Sequence, residues 1–248
     1  MTLEEFFREN PKVALGFSGG VDSSYLLYAG LQYGAEVRPY FAKTAFQPAF
    51  ELEDAKRLAQ QVGAEVTVLD CDILRNEAVA ANPSDRCYYC KTALFGMLKE
   101  RVARDDYMVL IDGTNASDDA ADRPGMAALR ELEVRSPLRE CGLTKDEIRR
   151  RSKEAGLFTW SKPAYACLAT RVPAGQRLTA ELLARVEQAE GALFQLGFAD
   201  FRVRVFHDAA RLQLTTADFL RAVELKDEIR ARLSPWFETV LLDLKARG

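Results

Sequence analysis

The sequence predicts an α/β fold, in which a parallel sheet carries helices on both faces and is followed by a small α+β domain. Over the first two thirds of the chain, short apolar runs alternate with longer amphipathic stretches, as in β-α-β units whose strands are buried on both faces. The pattern changes after Ala174-Gly175, where the order becomes αββαβ. With 248 residues, 48% of them hydrophobic, the chain buries enough apolar surface to fold without disulfides.

The first part of the chain contains the strands of the predicted parallel sheet and the helices that cover it. Residues 12–17 (KVALGF) form a short apolar run of the kind found in buried strands. Leu52, Leu58 and Val62 repeat with the period of a helix that has one apolar face. The predicted strands are 12–17, 36–42, 65–70 and 108–112, and the predicted helices are 22–33, 51–62 and 86–103.

Residues 116–173 are less regular, because several prolines interrupt them. One helix is predicted within this stretch. Thr144 caps its first turn, Glu147 completes a capping box three residues later, and Gly156 ends the helix.

The last third of the chain predicts a second, smaller domain. A long helix ending at Gly197 is followed by two strands that alternate apolar and polar residues, which indicates an antiparallel hairpin. The predicted elements are a helix at 180–196, strands at 201–206 and 210–215 joined by a turn at His207-Asp208, a helix at 219–233 and a strand at 239–244. We therefore predict two domains, residues 1–174 and residues 175–248.

The charges of the chain nearly cancel, since 34 Lys+Arg face 37 Asp+Glu for a net charge of −3. This balance argues against a nucleic-acid coat or a polybasic membrane anchor, both of which need a strong positive field. No apolar run approaches the roughly 18 residues of a membrane span, and the first residues lack the features of a signal peptide. We expect a cytoplasmic protein without a membrane partner, whose five cysteines are thiols, metal ligands or catalysts.

The hexapeptide Ser18-Gly19-Gly20-Val21-Asp22-Ser23 follows a predicted strand and begins a predicted helix. Its glycines allow the backbone to approach an anion, and the helix N-terminus offers N–H groups and a positive dipole end. Asp22 is a poor phosphate ligand by charge, so its presence beside a phosphate cradle indicates Mg²⁺ coordination. No G-x-x-x-x-G-K-[ST] sequence is present, which excludes the Walker-type loop. The alternative is a glycine-rich turn in which Asp22 caps the helix.

Three cysteines form the second candidate site. Cys87 and Cys90 make a CxxC at the start of a predicted helix, and Cys167 lies far along the chain. A CxxC by itself fits a zinc site, an iron–sulfur site or a redox dithiol. Zinc usually takes four ligands, whereas three thiolates on a cubane leave one iron open to an external sulfide. We interpret Cys71 and Cys141 as incidental.

The hexapeptide resembles the pyrophosphate loop, S-G-G-x-D-S, of the PP-loop ATP pyrophosphatase superfamily. Together with the cysteines, further motifs resemble the LarE-type ATP-dependent sulfur transferases of nickel-pincer cofactor biosynthesis. These motifs are SGGVDS at 18–23, NPSDRCYYC at 82–90, GTNASDD at 113–119, RPG at 123–125, RSPLRE at 135–140, LTKDEIR at 143–149 and KPAYACLATRVP at 162–173.

The resemblance implies a reaction and two routes for the sulfur. The family adenylylates the carboxylates of pyridinium-3,5-biscarboxylic acid mononucleotide with ATP and converts them to thiocarboxylates, releasing AMP and pyrophosphate. In one branch, a cysteine matching Cys167 surrenders its own sulfur and becomes dehydroalanine. In the other, cysteines matching Cys87, Cys90 and Cys167 hold a [4Fe-4S] cluster that carries sulfide from an external source. Because all three are present, we favour the cluster branch. The family also implies a homohexamer.

The resemblance further implies ligand roles for individual residues. The pyrophosphate and Mg²⁺ ligands are Ser18, Gly19, Gly20, Asp22 and Ser23, and the adenine lies near residues 41–44, which include Lys43. Gly113, Asp118, Asp119 and Arg123 follow a strand end, where parallel sheets place ligands, and Asp118 or Asp119 is a candidate for Mg²⁺. The substrate's own phosphate and carboxylates need guanidinium groups, for which we predict Arg171, Arg202 and Arg204, and Gln213 stands where the family has an acidic residue.

Other functions remain as alternatives. An amidating synthetase of the GMP or NAD synthetase type uses the same loop with ammonia and needs no cysteines. A tRNA thiolase pairs the loop with an iron–sulfur cluster, but the near-neutral charge argues against RNA. A nucleotide-sensing scaffold is the non-enzymatic alternative, and it binds ATP without releasing pyrophosphate.

Overall fold

The structure, a computed structural model, describes residues 1–118 and 123–247, with only the backbone of Arg123. Contacts between residues divide the chain into two compact units. The first comprises Met1–Val79 and Asp85–Ala164, and the second comprises Ala80–Ser84 and Tyr165–Gly248. The division into domains at residues 1–174 and 175–248 stays a prediction.

The first unit contains a parallel sheet in the order β3-β2-β1-β4, as the sequence predicts. Its strands are β1 Lys12–Gly16, β2 Glu36–Lys43, β3 Thr67–Asp70 and β4 Leu110–Ile111. Its helices are α1 Leu3–Glu9, α2 Val21–Gln32, α3 Ala49–Gln61, α4 Glu77–Ala80, α5 Arg86–Arg104, α6 Arg123–Glu131, α7 Pro137–Glu140 and α8 Lys145–Glu154, with 3₁₀ turns at Ile73–Arg75 and Phe158–Ser161.

Both faces of this sheet are covered by helices. In β1, Val13 and Leu15 join a core that includes α1, α2 and α3, whereas Ala14 joins a second core with Leu98 and Val102 of α5. This division follows from the alternation of side chains along a strand. The predicted α/β fold class is therefore confirmed, and open sheets of this class usually bind ligands at the edge formed by the carboxyl ends of the strands.

The second unit contains a three-stranded sheet in the order β5-β6-β7. Its strands are β5 Phe201–Phe206, β6 Ala209–Leu214 and β7 Val240–Leu242, and its helices are α9 Ala180–Gln195, α10 Phe219–Glu224 and α11 Lys226–Leu233, with 3₁₀ turns at Leu168–Arg171 and Thr216–Asp218. The predicted hairpin is confirmed: β5 and β6 are antiparallel and Phe206 pairs with Ala209. Its two-residue turn places His207 at φ +53°.

Three predicted elements differ from those in the structure. The strand predicted at 108–112 is reduced to Leu110–Ile111. Met108 is exposed, and Ile111 forms an isolated parallel bridge with Arg135. The helix predicted at 219–233 is broken at Leu225, where the sequence carries no glycine or proline to signal it. The strand predicted at 239–244 is reduced to β7. Within the described ranges, no helix combines the length and the apolar character that crossing a membrane requires.

Candidate active site

The turn between β1 and α2 brings backbone N–H groups to the carboxyl edge of the parallel sheet. β1 ends at Gly16 and α2 begins at Val21, so the glycine pair lies in the turn between them. Gly19 has φ +69°, and a Cβ there would lie 2.9 Å from the Cα of Ala55. Only glycine fits this position, and the resulting turn directs the N-terminus of a 12-residue helix outward.

Two serine hydroxyls hold this turn in shape. The Oγ atoms of Ser18 and Ser23 are 3.0 Å apart, and the backbone N–H of Ser18 donates to the Oγ of Ser23 at 3.3 Å. The N–H of Gly20 donates to the Oγ of Ser18 at 3.3 Å. The structure thus brings Ser18, Gly19, Gly20 and Ser23 together at the N-terminus of α2, and helix N-termini are places where anions commonly bind.

Asp22, in the first turn of α2, is the centre of a charged cluster. Its carboxylate accepts from Lys145 Nζ at 2.5 Å and from the side-chain amide of Asn115 at 3.3 Å. Asp118 lies close enough to repel it, and Oδ2 of Asp118 accepts the N–H of Asn115 at 2.7 Å. Burial raises the pKa of Asp22, and Lys145 opposes that rise. Asp22 and Asp118, two of the three acidic residues predicted as Mg²⁺ ligands, are therefore neighbours.

The end of β4 packs directly against the loop. A Cβ on Gly113 would lie 2.9 Å from the backbone nitrogen of Ser23, so a side chain there would displace the loop. The preceding Asp112 is buried, which raises its pKa, and it accepts from the hydroxyl of Ser136 at 2.6 Å. Gly113 thus acts by permitting close approach of two backbones.

A small cavity of about 130 Å³ opens beside the loop at the ends of β1 and β2. Lys43 is not among the lining residues; its ammonium donates to the carbonyl of Gln47 at 2.5 Å. Gln47 in turn accepts from the hydroxyl of Thr44 at 2.6 Å, which closes the turn after β2. The cavity is lined mainly by apolar and aromatic residues: Gly16, Phe17, Ser18, Tyr40, Phe41, Ala42, Gln47, Leu94, Phe95 and Leu98.

The structure contains no disulfide between cysteines of the described residues. Cys87 and Cys90 lie in the first two turns of α5, where a spacing of three residues places them on one side of the helix. Cys87 is exposed and Cys90 is half-buried. Cys167 belongs to the second unit and directly precedes the 3₁₀ turn Leu168–Arg171. In the part of the chain that is described, no three Cys, His, Asp or Glu side chains form a ready metal site.

Arg171 is buried, with 1% of its surface exposed, and has partners inside the second unit. Its guanidinium binds the carboxylate of Glu190 through two contacts of 2.8 and 3.1 Å. It also donates to the carbonyl of Ala166 at 2.8 Å. Glu190 additionally accepts the N–H of Val203 at 2.9 Å and the hydroxyl of Tyr165. Arg171 therefore forms a buried ion pair beside Cys167, and its role as an anion ligand stays a prediction.

Arg202 and Arg204 point to the same side of β5. Arg202 is buried, and its guanidinium lies 5.2 Å from the ring centre of Tyr165. Arg204 donates to the side-chain oxygen of Gln213 at 2.9 Å and to the carbonyl of Thr170 at 2.8 Å. Gln213, which stands where the family has an acidic residue, thus accepts a hydrogen bond from Arg204, one of the predicted phosphate-binding residues.

These arginines concentrate positive charge. Burial lowers the pKa of Arg202 to about 10, and repulsion from Arg171 and Arg247 acts in the same direction. Burial and repulsion from Arg171 also lower the pKa of Arg204. Arg171 is paired with Glu190 and Arg202 lies 3.6 Å from Asp200, whereas Arg204 donates to the neutral oxygens of Gln213 and Thr170. A bound anion would reduce the repulsion among the three guanidinium groups.

The side chains of two residues of the predicted site cannot be placed in the structure. Asp119 lies outside the described residues, and so does the side chain of Arg123, whose backbone begins α6. Their roles stay predictions.

The structure also reveals site residues that the sequence analysis missed. Lys145 and Asn115 lie within two of the family motifs, but nothing in their local pattern shows that they meet Asp22. The sequence does mark Glu190 as unusual, because this acidic residue interrupts an apolar stripe on α9. The buried apolar members of that stripe are Leu183, Val186 and Leu193.

The pair Arg171–Glu190 makes a testable contribution to stability, since the two side chains are 0% and 1% exposed. We expect Glu190→Gln to lower the free energy of unfolding by about 3–5 kcal/mol, because it leaves a buried guanidinium without its counter-charge. Urea unfolding followed by circular dichroism measures this change. As a control, Asp72→Asn removes an exposed pair with Arg75 and should cost less than about 1 kcal/mol. Equal effects of the two substitutions would contradict the prediction.

Comparison with known proteins identifies relatives that span nearly the whole chain. No protein-family model matches. An uncharacterized protein of Synechocystis sp. is 36% identical over 98% of this chain and 92% of its own length. Pyridinium-3,5-bisthiocarboxylic acid mononucleotide synthase of Lactiplantibacillus plantarum is 32% identical over 98% of this chain and 89% of its own length. The tRNA-specific 2-thiouridylase MnmA of Thermotoga petrophila is 25% identical over 61% of this chain and 54% of its own length.

Proposed function

The chain belongs to the LarE-type family of pyridinium-3,5-bisthiocarboxylic acid mononucleotide synthases, ATP-dependent sulfur transferases of the PP-loop superfamily, and from this premise we propose how its residues carry out the reaction. ATP adenylylates a carboxylate of the pyridinium mononucleotide and pyrophosphate leaves. A sulfur nucleophile then displaces AMP to form a thiocarboxylate. The observation that carries the proposal is the loop around Gly19 and Asp22, which combines an anion cradle with a carboxylate.

Adenylylation solves a chemical problem of the substrate. A carboxylate repels a thiolate and has no good leaving group, whereas an acyl-adenylate has lost one negative charge and can expel AMP. The N–H groups at the start of α2 would bind the departing pyrophosphate, and Lys145 would offset its charge. The apolar cavity beside β1 and β2 would hold the adenine.

The residues around the loop fit a magnesium ion. Asp22 and Asp118 supply carboxylate oxygens from two segments that meet at the ligand-binding edge of the sheet. Hard oxygen donors of this kind are those that Mg²⁺ prefers, usually one or two carboxylates together with substrate phosphates. The ion would offset charge on the phosphates. Lys145, which pairs with Asp22, provides positive charge at the same place.

Arg202 and Arg204 are proposed to bind the phosphate of the pyridinium mononucleotide. Arg202 is buried and Arg204 half-buried, both lie on β5, and both are close enough to Arg171 for its charge to repel them. Guanidinium groups suit phosphate because they donate through two parallel N–H groups.

Cys87 and Cys90 suit the ligation of an iron–sulfur cluster better than a packing role. Cys87 is exposed, and its spacing to Cys90 lets both thiols reach one ligand from a helix N-terminus. We propose that both, with Cys167, hold a [4Fe-4S] cluster that supplies sulfide from an external source. Thiols persist in the reducing cytoplasm, where we place the reaction.

The cluster proposal is tested by anaerobic reconstitution with iron and sulfide. We expect a brown protein with roughly four irons per chain and absorption near 400 nm, as for other cysteine-held clusters. Cys87→Ala should lose most of this iron, whereas Cys71→Ala, at a half-buried thiol of the first unit, should retain it. A colourless protein, or one that holds stoichiometric zinc instead, would overturn the cluster route in favour of a sulfur donated by Cys167 itself.

We further propose that the chain forms a homo-oligomer, a homohexamer by family resemblance. Leu220, Val223 and Leu244 are more than half exposed, and β7 is an edge strand, so the second unit offers apolar surface to another copy. Light scattering at micromolar concentration measures the mass.

Thiolation of tRNA is the second candidate, because the MnmA relative is 25% identical over a match that covers 61% of the chain. The net charge of −3 argues against it. An assay with labelled ATP, Mg²⁺ and either the pyridinium mononucleotide or tRNA separates the two. AMP and pyrophosphate should appear with the mononucleotide, while AMP formation that requires tRNA would favour the alternative.

A further inference from the structure

The backbone that carries Cys167 is held at its carbonyl oxygen. This oxygen accepts the backbone N–H of Thr170 at 3.0 Å and the hydroxyl of Thr170 at 2.8 Å, and Arg171 Nη1 lies 3.4 Å away. The same Nη1 donates to the Thr170 hydroxyl at 2.9 Å and to the carbonyl of Ala166 at 2.8 Å. One hydroxyl and one guanidinium therefore hold two consecutive carbonyls of the loop.

The guanidinium that makes these contacts is itself fixed. Its other nitrogens bind Glu190 on α9, and Glu190 also accepts the N–H of Val203 on β5. The pair is almost fully buried, so water does not compete for these bonds. The far end of the loop is held as well, because Arg204 donates to the carbonyl of Thr170 at 2.8 Å. The loop is thus braced against both a helix and a strand.

We propose that Thr170 and Arg171 are positioning residues for Cys167. The inference rests on the proposed function, in which Cys167 either delivers its own sulfur or holds the cluster that does. Sulfur transfer requires the reacting atoms to approach to about 3–3.5 Å, and a displacement of about 1 Å can cost roughly a hundredfold in rate. The two residues touch the backbone of Cys167 rather than the reacting atoms, and they fix the point from which its thiol projects.

Thr170 allows a test that leaves the buried charges in place. Thr170→Val removes the hydroxyl that donates to Cys167 and accepts from Arg171, while keeping the shape of the side chain. Thr170→Ser keeps the hydroxyl and is the matched control. In iron-free and nucleotide-free protein at pH 7, the alkylation of each cysteine by iodoacetamide is followed by peptide mass spectrometry, with Cys87 of the first unit as internal reference.

We expect Thr170→Val to speed alkylation of the half-buried Cys167 at least threefold relative to Cys87, because the loosened loop exposes the thiol. It should also slow single-turnover thiocarboxylate formation about tenfold, with pyrophosphate release unchanged. Thr170→Ser should stay within about twofold of the wild type in both measurements. Wild-type alkylation in Thr170→Val, or equal acceleration in both variants, would overturn the proposal. If the wild-type protein makes no thiocarboxylate, the proposed function fails, and the alkylation ratio still decides the role of Thr170.

Discussion

Cys167→Ala is expected to abolish thiocarboxylate formation while pyrophosphate release continues. The two steps use different groups: adenylylation needs the loop around Asp22, whereas displacement of AMP needs a sulfur nucleophile. We expect the sulfurated product to fall by at least about 10³-fold, because the variant has neither the Cys167 thiolate nor the third thiolate needed to hold the proposed cluster. Mass spectrometry of the pyridinium product and a coupled pyrophosphate assay measure the two steps separately.

The control for this substitution is Cys141→Ala. Cys141 is half-buried, packs against the core of the first unit, and has a pKa raised by burial, which keeps it a thiol at neutral pH. It should retain full turnover. Full turnover by Cys167→Ala would instead contradict the assignment and favour an amidating synthetase, which needs no cysteine.

The mass of the wild-type chain after turnover distinguishes the two sources of sulfur. If Cys167 donates its own sulfur, the chain loses about 34 Da, the mass of H₂S, as the residue becomes dehydroalanine, and each chain turns over once. If a cluster carries the sulfide, the mass of the chain is unchanged after several turnovers. Cys87→Ala then stops turnover only on the cluster route, since Cys87 has no place in the sacrificial one.

Features that depend on neighbours in sequence were predictable from the sequence alone. The loop at 18–23 follows a buried strand and begins a helix, and both observations are local. The β5–β6 hairpin could also be predicted, because the alternation of apolar and polar residues and the two-residue turn determine its register. The broken helix at Leu225 was not, because no glycine, proline or capping residue marks the break.

Contacts between residues far apart in the sequence could not be predicted from local patterns. Lys145 reaches Asp22 across 123 positions, and Arg171 reaches Glu190 across 19. A lysine at the start of a helix is ordinarily a solvated charge, so only the folded chain shows its partner. Arg171 was predicted as an anion ligand because it is a guanidinium near Cys167. The structure shows that this guanidinium is bound to the buried carboxylate of Glu190, which the sequence did not indicate.

Asp22→Asn is expected to reduce formation of AMP and pyrophosphate by about 10²–10³-fold, the range seen when a group that stabilises transition-state charge is removed. Asparagine keeps the shape of the side chain but loses the charge that pairs with Lys145 at 2.5 Å and that would bind Mg²⁺. Labelled ATP, with AMP and pyrophosphate separated by chromatography, measures the loss. Asp106→Asn is the control, because this aspartate is almost fully exposed. Release of ADP and orthophosphate by the wild type would contradict the whole mechanism.

The partnership with Lys145 can be resolved by a double-mutant cycle. If Lys145 acts only by holding the carboxylate of Asp22, Lys145→Met should have little effect once Asp22 is asparagine, because the two residues then act as one unit. If Lys145 also offsets charge on the leaving pyrophosphate, the double variant should be slower than Asp22→Asn by about a further tenfold or more. The geometry favours the second outcome. Lys145 is about one third exposed and follows the cap of α8, so its ammonium is accessible to a phosphate at the mouth of the loop.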